Sequence, residues 1–150
     1  MVLRRPLVFL PLLLLGGCFQ QSGNNTSQLL PPDYQTSFQV ARTCRLNVGH
    51  GSKYMVVYTN AVAEAAYLAG TSPLPQGSTI VAVESDKADC TDLTGYSLMF
   101  KDKVGYNPAA GDWHWQRLDD LRDVLQDGRL QTCISCHTTC SLNDYTCSPP

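Results

Sequence analysis

Residues 78–84 read Ser-Thr-Ile-Val-Ala-Val-Glu (STIVAVE), and this stretch indicates the fold most directly. It is rich in β-branched residues, which favour a β-strand. Successive side chains of a strand point to opposite faces of the sheet. One face therefore carries Thr79, Val81 and Val83, and the other carries Ile80, Ala82 and Glu84.

The segments on both sides of this strand predict a small α+β domain. Further strands are predicted at Lys53 to Thr59, Leu93 to Lys101 and Asp112 to Leu118. Asn60 is a good N-cap for a helix over Ala61 to Ala69, which Gly70 would end. A second, amphipathic helix is predicted from Leu118 to Gly128, because apolar residues recur there at helical spacing. The sum is an antiparallel sheet with a few short helices.

Length and composition narrow the function classes. The chain has 150 residues, of which 43% are hydrophobic and 16% charged, so it has room for one compact domain. The formal net charge is −2. No basic surplus is present to grip a phosphate backbone, which argues against a nucleic-acid-binding protein.

The N-terminus has the pattern of an export signal. Arg4 and Arg5 precede an apolar run, Leu7–Leu15, which is too short to span a bilayer as a helix. The run ends in Gly-Gly-Cys18, which resembles the cleavage box of bacterial lipoproteins. We therefore expect a signal peptide over residues 1–17, lipidation of Cys18, and a location on the periplasmic side of a Gram-negative outer membrane. An ordinary signal peptide or a buried apolar segment is the alternative.

The polar residues after Cys18 predict a flexible tether over residues 18–33. The folded domain is then expected to span residues 34–150.

A chemical site is predicted near the C-terminus. Cys133-Ile-Ser-Cys136-His137 has the spacing Cys-x-x-Cys-His, which is the attachment signal for c-type haem. Two thiols three residues apart on a helical turn can form thioethers with the haem vinyl groups, and His137 can then bind the iron. The alternatives are a redox dithiol, a structural disulfide, or half of a zinc site completed by Cys140 and Cys147.

The position of the motif limits the kind of cytochrome. Thirteen residues follow His137, and none of them is Met or His. A small electron-transfer cytochrome c, with an N-terminal motif and a distal Met far downstream, is therefore excluded. The period-two strands also argue against a four-helix bundle.

The chain resembles the cytochrome P-460 family, which includes the β-sheet cytochromes c′. The resemblance covers about residues 45–147 and depends on the order of several segments. These are YMVVYTNAVAEAA (residues 54–66), PQGSTIVAVE (75–84), MFK (99–101), GYNP (105–108), GDW (111–113), CISCH (133–137) and Asp144-Tyr145.

The resemblance implies one covalent haem c packed against an antiparallel sheet, in a periplasmic protein that is often a homodimer. P-460 enzymes oxidise hydroxylamine, and the related cytochromes c′ bind nitric oxide and carbon monoxide. The enzymes carry a haem-linked Lys before the Glu of a Gly-Thr-x-x-Val-Lys-Glu-like strand. Alignment on Glu84 places Val83 there, which favours diatomic binding over hydroxylamine oxidation and gives Val83 a place in an apolar haem wall. Lys101 is the nearest substitute for the Lys.

Several other side chains are candidates for the haem site. His50 lies in a Gly-flanked loop and is expected at the surface, and His114 is expected to point away from the Trp side of its strand. Met55 and Met99 suit the core better than the iron, although one of them, or a His, would complete the six-coordinate haem of an electron carrier with a redox partner. Glu84 is equally a distal acid or a surface residue, and Trp113 and Trp115 are expected to pack the sheet or the haem edge.

Seven cysteines complete the sequence inventory. Lipid would use one and haem two, which leaves Cys44, Cys90, Cys140 and Cys147. Disulfides Cys44–Cys90 and Cys140–Cys147 would use all four, although other pairings remain open from sequence alone. A haem-free lipoprotein held by disulfides is the remaining alternative.

Overall fold

A computed structural model describes residues 27–147 of the chain. Its centre is one six-stranded antiparallel sheet in which the strands lie side by side in chain order. The strands are β1 (Gln39–Asn47), β2 (Lys53–Thr59), β3 (Thr79–Ser85), β4 (Leu93–Lys101), β5 (Trp113–Leu118) and β6 (Val124–Gly128). The α-helices are α1 (Tyr34–Ser37), α2 (Ala61–Leu68) and α3 (Gln131–His137). The α+β prediction is confirmed.

All four predicted strands and the first predicted helix are confirmed within about one residue of their expected ends. β2 and β4 have the predicted bounds, β3 is displaced by one residue, and β5 begins one residue later than expected. The Asn60 side chain accepts a hydrogen bond from the Ala63 amide at 3.0 Å, as an N-cap does.

The helix predicted from Leu118 to Gly128 is wrong. The chain instead turns after β5 and returns as the edge strand β6, with Gln116 opposite Asp127. The Asp119 carboxylate accepts a hydrogen bond from the Asp123 amide and stabilises the turn. Leu121 is 79% exposed, so the apolar spacing that suggested a helix does not correspond to a buried face.

Strand β1 is not among the strands predicted from the sequence, and it contains Cys44. Its sequence, QVARTCRLN, lacks the apolar alternation of the inner strands, because β1 is an edge strand with one sheet neighbour. Its pairing with β2 is irregular, with register shifts on both sides of Arg42.

The folded part begins before residue 34. Leu30 is fully buried in a cluster on one face of the sheet. The Arg122 guanidinium donates hydrogen bonds to the carbonyl oxygens of Leu30, Pro31 and Pro32, at 2.8, 3.0 and 3.3 Å. The predicted tether is therefore ordered in its last residues, and its remainder, with Cys18 and the signal peptide, lies outside the described residues.

The alternation predicted for residues 78–84 separates two apolar clusters. We call the side that carries Ile80 the cavity face and the side that carries Val81 the back face. The cavity-face cluster is Val57, Ala63, Tyr67, Leu74, Ile80, Met99, Ala110, Trp113 and Trp115. The back-face cluster is Leu30, Tyr34, Val81, Tyr96, Leu98 and Leu118.

Two disulfides join the four cysteines that the sequence inventory left over. Cys44 of β1 is bonded to Cys90 in the connection between β3 and β4. Cys140 is bonded to Cys147 in the segment that follows α3. These are the two pairings named from the sequence, which by itself left other pairings open.

Candidate functional site

Helix α3 carries the whole Cys-x-x-Cys-His motif. The Ser135 hydroxyl donates to the Gln131 carbonyl inside the helix, and Ile134 packs against the cavity-face cluster. Cys133 is half-buried, Cys136 is exposed, and both are free thiols. Both cysteines line one cavity with His137, which is the arrangement that attachment of a haem requires.

The His137 ring is fixed by its Nδ1 atom, which lies 2.6 Å from the Tyr145 carbonyl oxygen. A carbonyl only accepts, so Nδ1 donates and the lone pair of the neutral ring lies on Nε2. Burial lowers the pKa of His137 below its ordinary value and outweighs the opposing effect of the Tyr145 carbonyl. A neutral imidazole held by an Nδ1–H···O=C bond is the usual form of a metal-ligating histidine.

A buried ion pair holds the segment that supplies this carbonyl. Lys101 Nζ of β4 lies 2.5 and 2.6 Å from the two carboxylate oxygens of Asp144, and both side chains are 5% exposed. Asp144 also accepts from the Leu74 amide at 2.8 Å, and its own carbonyl accepts from Trp113 Nε1 at 2.7 Å. These bonds fix Asp144, and therefore the adjacent Tyr145 carbonyl, against the sheet.

The cavity between α3 and the sheet has a volume of about 760 Å³. This lies within the range of about 300–1,000 Å³ that ligand and cofactor pockets occupy. Its apolar part is formed by β2 to β5 and α2, through Met55, Val57, Tyr67, Ile80, Ala82, Met99 and Trp115. The size, the apolar wall and the motif residues together fit a haem.

The cavity lining also has a polar part. Glu84, His50 and Ser97 all line it, and Glu84 is buried. Its Oε1 atom accepts from the Ser97 hydroxyl at 2.6 Å and lies 3.5 Å from His50 Nδ1. Burial acts to raise the pKa of Glu84, but the contacts with His50 and Ser97 and the nearby Arg117 charge outweigh it, so the pKa is lower than usual. A carboxylate is therefore held inside the cavity.

The structure separates the predicted site residues into two groups. Cys133, Cys136, His137, Glu84 and both candidate methionines, Met55 and Met99, line the cavity with Trp115. His50 also lines the cavity, contrary to the expectation of a surface position, and sequence could not show this because its loop has no periodicity. Trp113 is fully buried in the same cluster.

Val83 does not line the cavity. It packs against the back-face cluster, because it alternates along β3 with Ala82 and Glu84, which line the cavity. Val83 is therefore not placed to form part of the haem wall, contrary to the prediction from the sequence. Its neighbours on the cavity face line the cavity instead. None of the β3 residues on the cavity face, Ile80, Ala82 and Glu84, is Lys, so the argument against a cross-link from this strand does not depend on the alignment.

Two further candidates lie away from the cavity lining. The Lys101 ammonium group forms an ion pair with the Asp144 carboxylate. His114 points to the back face, where its Nε2 lies 2.8 Å from Asp127 and its ring stacks on Tyr106. Lys53 is a lysine that does line the cavity, at its margin, where its Nζ pairs with Asp86 at 2.6 Å.

The alternatives to haem lose support. Cys140 and Cys147, the only further ligands considered for zinc, are bonded to each other. Among the described residues, no group of three or more His, Cys, Asp or Glu side chains is placed to hold a metal ion. Burial raises the pKa of Cys133, whereas an active redox dithiol needs a lowered thiol pKa.

Within residues 27–147, no helix is long and apolar enough to cross a membrane. The sequence comparisons give one family. The family model described as Cytochrome P460 matches residues 31–148. No curated protein matches the chain.

Proposed function

The chain belongs to the cytochrome P460 family, and on that premise we propose that it carries one covalent haem c in the cavity and binds small diatomic molecules such as nitric oxide. One observation supports this most strongly. His137, with its Nε2 lone pair directed by the Nδ1 bond, shares the cavity with the free thiols of Cys133 and Cys136.

The residues fit the cofactor in separate roles. Cys133 and Cys136 would hold the haem covalently, and His137 would be the proximal ligand. When bound, haem supplies an iron that takes neutral diatomic ligands by metal–ligand bonding. Met55, Ile80 and Met99 give the site an apolar wall, which favours a neutral ligand over an ion.

Hydroxylamine oxidation is a less favoured activity. In the family it accompanies a Lys joined to the haem, and the cavity-face residues of β3 include none. Electron transfer is the second candidate function. One observation favours it, because the His50 ring also lines the cavity, 6.2 Å from the His137 ring, and could supply a sixth ligand.

Covalent attachment is tested with a double variant, Cys133→Ala/Cys136→Ala. We expect the purified wild-type protein to keep its haem through denaturation and acid extraction, and its reduced visible spectrum to change on addition of carbon monoxide or nitric oxide. The double variant should retain no acid-resistant haem, because neither thioether can form.

Cys44→Ala/Cys90→Ala is the matched control. It removes a disulfide at a stability cost of about 2–5 kcal/mol but leaves the motif intact, so it should keep covalent haem. Covalent haem in the Cys133→Ala/Cys136→Ala protein would contradict the attachment.

We also propose that the protein is exported and anchored by lipid on Cys18, on the periplasmic side of the outer membrane. The leader sequence and the two disulfides, which persist in oxidising compartments, support this. Cys18→Ala should leave the protein soluble or unprocessed, as measured by fractionation and mass spectrometry of the N-terminal peptide. Unchanged membrane fractionation, with an unmodified Cys18 in the wild type, would contradict the anchor.

A further inference from the structure

Two histidines face one another in the cavity. The ring centroids of His50 and His137 lie 6.2 Å apart, and the ring planes are inclined at 79°. An imidazole nitrogen lies about 2.0–2.1 Å from a metal that it binds, so two imidazoles on opposite sides of one metal have centroids about 6 Å apart. The observed separation of 6.2 Å agrees with the value expected for two such imidazoles.

Both rings are also held in the manner of metal ligands. His137 is held through Nδ1 by the Tyr145 carbonyl, and His50 Nδ1 lies 3.5 Å from the Glu84 carboxylate. Metal-binding histidines use their second ring nitrogen for such a contact with a carbonyl or carboxylate, which orients the ring. Within the described residues, neither Nε2 atom has a hydrogen-bond partner. Each ring therefore keeps one nitrogen free.

The loop that carries His50 is short and exposed, and it lies outside the two apolar clusters. It is a single 3₁₀ turn, Val48–His50, followed by Gly51 in the left-handed conformation. Val48 is 76% exposed, and the Gly49 amide donates a hydrogen bond to the Asn47 side chain at the start of the turn. The His50 side chain is 28% exposed, so a path to solvent exists on its side of the cavity.

We propose that His50 is a displaceable sixth ligand, opposite His137, which occupies the diatomic-binding position until an external ligand replaces it. This inference depends on the proposed function, because it needs the haem in the cavity. Glu84 is a positioning residue that orients the His50 ring. Ligand binding is then linked to an outward movement of the turn at residues 48–50, and the apparent affinity falls with the fraction of molecules in which His50 is displaced.

The test compares the haem-loaded wild type with His50→Ala and with His114→Ala, a control histidine on the other face of the sheet. Coordination is measured by visible absorption and electron paramagnetic resonance, and carbon monoxide binding to the ferrous protein by stopped flow. The wild type should be six-coordinate and low-spin, with a binding rate that levels off at high carbon monoxide because His50 must leave first. His114→Ala should match the wild type.

His50→Ala should be high-spin and five-coordinate, with a binding rate that rises linearly with carbon monoxide. Affinity should increase about tenfold if His50 is displaced in about one molecule in ten of the wild type. Added imidazole should restore the six-coordinate spectrum of His50→Ala. Glu84→Gln should keep His50 as a ligand but bind carbon monoxide faster than the wild type, because the ring is less firmly oriented.

Results that contradict the role of His50 differ from results that contradict the proposed function. A wild type with covalent haem that is five-coordinate, or a His50→Ala variant that remains six-coordinate without imidazole, overturns the role of His50 and leaves the proposed function standing. A six-coordinate wild type that never binds carbon monoxide overturns displacement and favours electron transfer. A wild type without covalent haem overturns both proposals.

Discussion

The two faces of the sheet are made from alternate residues of the same strands, yet they have different uses. On the back face, Val81 and Leu98 are covered by the N-terminal segment, and Tyr34 packs edge-on against Tyr58 and Tyr96. On the cavity face, a cavity of about 760 Å³ lies between the sheet and the C-terminal segment that covers it. One pattern of alternation thus gives a packed core on one side and a cofactor-sized cavity on the other.

A terminal segment of the described chain covers each face of the sheet, and one basic side chain binds each segment. On the cavity face, buried Lys101 binds the Asp144 carboxylate beside the segment that orients His137. On the back face, partly exposed Arg122 binds backbone carbonyls of residues 30–32. The Lys101 contact joins two buried charges, whereas the Arg122 contact joins one charge to carbonyl dipoles. Loss of the basic residue should therefore lower the free energy of unfolding more on the cavity face than on the back face.

The largest expected effect comes from Lys101→Met. The substitution keeps the apolar stem but leaves the Asp144 carboxylate buried without its cation, which should lower the free energy of unfolding by about 3–5 kcal/mol. Urea denaturation measures this change. Because the Tyr145 carbonyl is released as well, the reduced haem spectrum should also change.

Arg122→Met is the matched variant on the back face. It removes hydrogen bonds from a partly exposed guanidinium and should cost about 1–2 kcal/mol, with no change in the haem spectrum. Equal losses from the two variants would contradict the distinction drawn between the two faces.

An effect smaller than that of Lys101→Met separates neighbouring residues of β3. Val81→Ala should lower the free energy of unfolding by about 1–3 kcal/mol, because Val81 is fully buried in the back-face cluster, and carbon monoxide kinetics should not change. Ile80→Ala enlarges an existing cavity, so it should alter the kinetics of ligand binding. Stopped-flow and urea measurements on both variants test this. The comparison fails if Val81→Ala alters ligand binding as much as Ile80→Ala.

The sequence predicts what depends on local pattern. The faces of β3 follow from alternation alone, and the motif on α3 follows from residue spacing. Strand β6 was read as a helix, because its pairing with β5 is decided by the turn between them and not by its apolar period.

Contacts between distant parts of the chain were beyond sequence analysis. Lys101 and Asp144 are 43 residues apart in the chain, and His50 reaches Glu84 from a loop without a repeating pattern. The mistaken placement of Val83 has a different cause. It came from alignment on Glu84, and the alternation already recognised in β3 sets Val83 on the opposite face from Glu84.

The smallest expected effect concerns the cross-link and is an absence of change. The haem peptide from a digest should carry two thioethers, from Cys133 and Cys136, and no joined Lys peptide. Lys53 is the cavity-lining lysine to test, and its Nζ is paired with Asp86 at the cavity margin, whereas Lys101 is paired with Asp144. Lys53→Arg keeps the charge, so it should leave both the mass of the haem peptide and the reduced spectrum unchanged.

The same reasoning gives a sharper pair of variants. Val83→Lys puts an amine on the back face and should leave the haem spectrum unchanged, although an apolar contact with the back-face cluster is lost. Ala82→Lys puts the amine on the cavity face, between Val57 and Ser97, and should perturb the spectrum. The reverse result would show that the haem lies against the back face. A haem peptide joined to Lys53 or Lys101 would instead favour hydroxylamine oxidation as the function. The protein would then have the Lys–haem bond that no residue on the cavity face of β3 can form.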